Sequence, residues 1–256
     1  TAVPQHRQPD KIDDPMAVMK KEKHPAAQAI VPSGLSSEPS TRDTILDRSL
    51  ELINESGMVD FRIDTLARSL GLSPGNITYH FSRKEDICLA LWDRYLTESN
   101  HLDRSLTTLL DLRQYYLLNR LHIRLDYRYR GVVMFRSSDL GAMTRDREVN
   151  LADEARHLAF CRRAMQFLSR NGYLRKEASR QQLEDIHTCH YVLTRWCLNY
   201  GYQAYGADEV AGRVDDLALL SLHALYPALS DKGIAEFTEI MERVSADDFL
   251  GDPSLQ

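Results

Sequence analysis

Apolar residues recur every three or four positions from Ile45 onward, and between Thr41 and Leu96 this period is interrupted often enough to predict four short helices. The first carries Ile45, Leu46, Ser49, Leu50, Leu52 and Ile53 on one face, with Ser40 or Thr41 to cap it and Gly57 to end it. The second is marked by Ile63, Leu66, Ala67 and Leu70; Asp60 is its expected cap, and Gly71, able to take positive φ, closes it. Ser73 caps the third, with Pro74 in the first turn, where a missing N–H costs nothing. Ser82 and Glu85 form the expected capping box of the fourth, which continues through Ile87, Leu91 and Leu96.

Beyond Asn100 the pattern predicts six more helices. They cover about Ser105 to Arg130, Val132 to Met143, Arg147 to Asn171, Gln181 to Tyr205, Asp208 to Leu225 and Ser230 to Ser245. No proline occurs from Gly75 to Tyr226, so nothing in that stretch forbids helix, and the chain reads as all-α. The run from Leu217 to Leu225 is apolar nearly all round, more than one buried face needs. Its neighbour places Ile186, Leu193, Trp196, Cys197 and Tyr200 at helical spacing. Two such helices from each of two subunits would make a four-helix bundle, with Leu193, Trp196, Tyr200, Leu217, Leu220 and Ala224 at the dimer contact. The alternative is that both helices are buried within one subunit.

The first forty residues differ in kind. They hold six of the nine prolines and few large apolar side chains, so residues 1–40 are expected to form a disordered arm. Its Lys20-Lys21-Glu22-Lys23 run could touch phosphate, or the whole segment could be a solvated tail. The expected division is this arm, a compact head over residues 41–100 and a helical body over 101–250.

Charge and cysteine usage narrow the function only slightly. The net charge is −5, and between Arg42 and Asn100 seven Lys and Arg stand against ten Asp and Glu. A nucleic-acid surface must therefore rely on local charge, such as Arg83, Lys84 and His80. Cys88, Cys161, Cys189 and Cys197 have no paired spacing, so neither a disulfide framework nor a zinc knuckle is expected. No apolar run is long enough to span a bilayer, and a cytoplasmic protein without membrane contact or cofactor is the expectation.

The residues from Ser73 to Phe81 (Ser-Pro-Gly-Asn-Ile-Thr-Tyr-His-Phe) have the pattern of the second helix of a helix-turn-helix, the one that enters a DNA groove. Gly75 leaves room for close backbone approach to a duplex. Asn76 can donate to and accept from a base edge, and Thr78 offers a hydroxyl or a methyl. Tyr79, His80 and Lys84 suit phosphate oxygens, whereas Ile77 and Phe81 point into the head's own core. The stretch from Arg42 to about Asn100 resembles the DNA-binding domain of tetracycline-repressor-type (TetR/AcrR) transcriptional regulators. The resemblance is carried by Leu66-Ala67, Leu70 to Ile77, Tyr79-His80-Phe81 and Lys84-Glu85. It implies a three-helix DNA-binding domain followed by a helical bundle for ligand binding and dimerisation. It also implies DNA contacts at Arg42, Arg62, Pro74, Gly75, Asn76, Thr78, Tyr79, His80 and Lys84, and repression at a palindromic double-stranded operator. Asp64 departs from the pattern, standing where some relatives carry a base-reading arginine; it would repel phosphate unless Arg62 neutralises it.

The same resemblance implies a small-molecule effector. Tyr116, Tyr127, Met134, Phe135, Phe160 and Met165 supply the large soft side chains that line apolar pockets, though such residues also fill ordinary cores. Two rivals stand beside this reading. One is a helix-turn-helix regulator controlled by a protein partner, which a sealed body without a cavity would favour. The other is a helical metalloenzyme using the Glu-x-x-His pairs Glu98/His101, Glu154/His157 and Glu184/His187. No nucleophile motif, phosphate loop or dinucleotide fingerprint accompanies those pairs.

Overall fold

A computed structural model of the chain describes residues 40–109, 111–136 and 147–245. Those residues form ten α-helices, numbered in chain order: α1 Thr41–Asp60, α2 Ile63–Leu70, α3 Pro74–His80, α4 Lys84–Ser105 and α5 Leu112–Arg128, then α6 Arg130–Arg136, α7 Arg147–Arg170, α8 Arg180–Tyr205, α9 Val214–His223 and α10 Asp231–Ser245. The expected arm and the later part of the helix expected to reach Met143 lie outside the described residues.

Local chemistry accounts for most of the boundaries. The Ser40 hydroxyl accepts from the Asp43 N–H at 3.2 Å and starts α1. Gly57 does not end that helix: it sits at φ 77°, bends it, and helical bonding resumes to Asp60. Gly71, at φ 66°, closes α2 while the Leu72 N–H reaches back to the Ala67 carbonyl at 2.9 Å. Two expected caps are displaced. Arg62 rather than Asp60 stands at the cap of α2 and makes no side-chain cap. At α4 the reciprocal contact is one residue later than expected, with the Arg83 N–H donating to Asp86 at 3.0 Å. The long helix expected from Ser105 is also divided. Helix α4 runs on to Ser105, a short 3-10 turn covers Leu106–Thr108, and α5 starts only at Leu112, capped by Asp111. Similarly, Val210–Arg213 is a 3-10 turn leading into α9.

Two apolar clusters hold the molecule. The head cluster packs Ile45, Leu46, Ile53, Leu66, Ile77, Phe81, Ile87 and Leu91 together, and Leu125, Tyr129, Val132 and Val133 from α5–α6 complete it. The body cluster joins α5, α7, α8, α9 and α10 around Tyr115, Tyr116, Phe160, Leu198, Leu217 and Leu222. Each fully buried Leu or Ile contributes roughly 2 kcal/mol through the apolar area it removes from water. Because α5 serves both clusters, head and body are coupled by packing.

Polar contacts reinforce that junction. The Asn54 amide donates to the Arg128 carbonyl at 2.8 Å and accepts from the Gly131 N–H at 2.9 Å. Gly131 is required there, because a Cβ would overlap the Ile53 carbonyl on α1. On α4, Glu98 accepts from the Tyr129 hydroxyl at 2.6 Å and from Arg128 at 2.7 Å. Within the body, Arg120 clamps Asp215 through two bonds of 2.6 and 2.7 Å. Burial alone would raise the Asp215 carboxyl, but Arg120 and Arg124 hold it below its ordinary value. His190, fully buried, donates from Nδ1 to the Ser221 carbonyl at 3.1 Å and accepts from the Tyr115 hydroxyl at 2.6 Å.

Candidate nucleic-acid interface and interior cavity

Helix α3 divides its side chains sharply between two sides. Ile77 is fully buried and the following Phe81 nearly so, whereas Tyr79 is 85% exposed. Pro74, Gly75, Asn76 and Thr78 are exposed with it, and His80 is half-buried against the Tyr79 ring, edge to face at 5.2 Å. The Ser73 hydroxyl accepts from the Asn76 N–H at 3.2 Å and fixes the start of the helix. A Cβ on Gly75 would meet only the Ser73 hydroxyl, at 3.8 Å, so internal packing does not require glycine at this exposed position. What α3 offers outward is an amide, two hydroxyls and an imidazole on a rigid support.

The expected cationic contacts are placed less simply. Arg42 lies with its guanidinium 4.9 Å from the centre of the Phe81 ring, close to the end of α3. Arg62 folds back onto the Val59 and Phe61 carbonyls at 2.7 and 3.2 Å, and makes no ion pair with Asp64. The Lys84 ammonium donates to the Met58 and Val59 carbonyls, both at 3.2 Å, which ties the start of α4 to the end of α1. Arg83 pairs with Asp86 at 3.2 Å.

Residues 45–91 match the family model described as bacterial regulatory proteins, tetR family. The head is a TetR-family DNA-binding domain. No curated protein matches it in sequence. Among solved structures, a TetR-family transcriptional regulator from Marinobacter aquaeolei VT8 is similar over 78% of this chain and 98% of its own, at 20% identity and a TM-score of 0.65. The SmeT–triclosan complex is similar over 75% of this chain and 93% of its own, at 22% identity and a TM-score of 0.55. SmeT, described as the repressor of the Stenotrophomonas maltophilia multidrug efflux pump SmeDEF, also matches over 75% of this chain and 92% of its own, at 20% identity and 0.51. At these identities the likeness is one of fold, and it covers the helical body as well as the head.

The body holds a cavity of about 40 Å³ between α4, α5, α7 and α8. Trp92, Tyr95, Ser99 and Asp103 reach it from α4, Asp126 from α5, Arg156 and His157 from α7, and Thr194 and Arg195 from α8. None of the six residues expected to line an apolar pocket does so. Tyr116, Phe160 and Met165 are buried in the body core. Tyr127 is half-buried beneath the Arg130 guanidinium, 4.7 Å from its ring centre, and the half-buried Phe135 packs against the head cluster. Met134 is half-buried on α6. A signal for the cavity was present in α4, where Trp92, Tyr95, Ser99 and Asp103 share one face at helical spacing, but it mixes polar and aromatic residues and so reads as an ordinary half-exposed stripe.

The expected dimer contacts also divide. Helix α8 exposes Cys189, Val192, Trp196 and Tyr200 along one face, and α9 adds Leu220 beside them. Leu193 and Ala224 are half-buried, whereas Leu217 is buried inside the same subunit, against Gly201. Of the Glu-x-x-His pairs, Glu98 serves Arg128 and Tyr129, Glu184 accepts from Arg180 at 2.9 Å, and the Glu154 side chain lies outside the described residues. Among the described residues no group of three or more His, Cys, Asp or Glu is arranged to hold a metal ion, and no helix is long and apolar enough to cross a membrane.

Proposed function

We propose that the protein is a homodimeric repressor that reads a palindromic operator with the exposed side of α3 and is released from it by a small-molecule effector. The observation that carries this reading is the outward strip of Asn76, Thr78 and Tyr79 on a helix whose other side is fully packed. Asn76 has the donor and acceptor needed to pair with an adenine edge, and Tyr79 and His80 have donors for phosphate. With Lys84 and Arg62 already bonded to carbonyls, affinity rests on fewer phosphate contacts than a basic head would make. The protein works where the DNA is, in the cytoplasm.

The unpartnered face of α8 supports the dimer. Trp196 and Tyr200, each more than two-fifths exposed, sit with Val192 and Leu220 in a stripe that a monomer would leave in water. A two-fold pairing of this stripe gives two α3 helices to match two half-sites. The cavity against α4 supports effector control over control by a protein partner, and a protein of this fold, SmeT, has been seen with triclosan. An effector acts only if it binds one spacing of the two α3 helices better than the other.

Selection of bound fragments from genomic DNA with the purified protein tests this reading. A palindromic sequence should emerge, and the variant carrying both Asn76→Ala and Tyr79→Ala should bind it about a hundredfold more weakly at constant salt. Enrichment of no sequence, or unchanged affinity in that variant, would remove the proposal. Trp196→Glu should convert the dimer to monomer in light scattering.

A further inference from the structure

The cavity has a surplus of hydrogen-bond acceptors. Asp126 uses one carboxylate oxygen to accept from the Tyr95 hydroxyl at 2.7 Å and makes no ion pair among the described residues. Ser99 is 7% exposed, and its hydroxyl, on the cavity wall, has no partner among the described residues. The Thr194 hydroxyl donates to the carbonyls of His190 and Tyr191, both at 3.0 Å, so it must accept from His157 Nε2–H at 3.1 Å. That tautomer leaves His157 Nδ1 as an acceptor. Burial pushes His157 down to about 3, so the imidazole stays neutral, and burial pushes the Asp126 carboxyl up although the Tyr95 hydroxyl, His122 and Arg195 pull it down.

Cations on the far wall are already engaged. Arg156 donates to Asn100 at 3.3 Å, and the Arg195 guanidinium lies 5.9 Å from the Trp196 ring centre. Asp103, which also lines the cavity, is 3.2 Å from His122. With the two carboxylates set against these two guanidiniums, what the cavity leaves unfilled is three acceptors, on Asp126, Ser99 and His157, which a donor-rich head group would meet. The Trp92 and Tyr95 rings stack at 4.7 Å and form an aromatic wall beside them. A volume of about 40 Å³ corresponds to roughly three water molecules, room for a head group of three or four heavy atoms.

We propose that this cavity takes a cationic nitrogen head group, an ammonium or amidinium with several N–H donors, bound by Asp126, Ser99 and His157 and flanked by the Trp92–Tyr95 stack. The inference rests on the effector-controlled reading above and gives that effector a chemical class. It also places the bound cation directly on α4, the helix whose other end carries Lys84 into the head.

The test uses the full chain as its native dimer with three probes at equal ionic strength: acetamidinium, its neutral analogue acetamide, and tetramethylammonium, a cation without N–H donors. Calorimetric titration and tryptophan fluorescence should show millimolar binding of acetamidinium alone. Asp126→Asn, which keeps an oxygen for the Tyr95 hydroxyl, should weaken it at least tenfold, and Ser99→Ala, a change any core accepts, about threefold. Equal binding of acetamide or tetramethylammonium, or an unchanged affinity in a folded Asp126→Asn or in Ser99→Ala, would overturn the proposal. Operator binding measured on the same samples separates the two readings. Protein that holds its operator but shows no preference for acetamidinium refutes the cavity chemistry alone, and protein that selects no DNA refutes the regulator reading.

Discussion

The two ends of α4 belong to regions built in different ways. At its start, the head places all its candidate DNA contacts except Arg42 and Arg62 on α3 or within a few residues of it, over a core made largely from the same sixty residues. Toward its other end, the cavity gathers side chains from four helices, from Trp92 to Arg195. A contact surface encoded locally needs only correct turns and caps. A cavity encoded over a hundred residues needs the whole body to pack first. The head can therefore keep its geometry while the cavity's contents vary.

The largest expected effect breaks the head. Ile77→Ala removes a fully buried side chain from the head cluster and should cost about 3 kcal/mol of stability. Tyr79→Ala, two residues away and facing water, should leave the melting temperature within about a degree while weakening operator binding. Thermal unfolding of both variants checks the division. Similar losses in the two would mean that α3 has no free side.

The next effect lies at the junction. Asn54→Ala removes two hydrogen bonds and leaves the Gly131 N–H without its partner, a loss of about 2 kcal/mol. Because Asn54 spans α1 and α6, the variant should bind operator DNA yet respond less to an effector. Denaturant unfolding measures the first part, and operator release at saturating effector the second.

Legibility in the sequence follows the same divide. The nonamer from Ser73 to Phe81 was readable because capping, proline position and inward–outward alternation all act over fewer than ten residues. The body's helices were readable too, from periodicity, apart from the 3-10 turn at Val210–Arg213 and the break at Leu106–Thr108, where no glycine or proline marks the end of α4. The cavity was not readable. Tyr116 and Phe160 have the chemistry of pocket walls and instead fill the core, while Asp126 and Ser99 look like surface residues until four helices converge on them. Leu217 shows the same limit in the dimer stripe: residue type alone cannot separate it from Leu220, three positions on, which faces outward.

A comparable effect, of about 2 kcal/mol, concerns acidity in the body. Burial pushes His190 down to about 4, below the ordinary value of 6.5. The unfolded chain then takes up the proton first, so this contribution is complete above about pH 6.5 and is lost as pH falls toward 4. Between pH 7 and pH 5 the site should cost roughly 2 kcal/mol of stability. His190→Gln, which retains a donor and an acceptor, should flatten that part of the stability profile. An equally steep profile in the variant would locate the acid sensitivity elsewhere, with His157 the next residue to test.

The smallest effect joins the two regions at Lys84. Its ammonium has three donors and spends two on the Met58 and Val59 carbonyls, so it both closes the end of α1 and keeps a positive charge beside α3. Lys84→Met should therefore cost about 1 kcal/mol of stability, the net value of exposed hydrogen bonds. It should also lower the slope of log affinity against log salt by about 0.9 for each phosphate that is no longer neutralised, two per dimeric operator. The two measurements are independent. A lower melting temperature with an unchanged salt slope would make Lys84 a structural clamp alone, and the phosphates would then be held by Tyr79, His80 and Arg42. An unchanged melting temperature with a reduced slope would mean that the carbonyl contacts contribute nothing and that the charge is held for DNA.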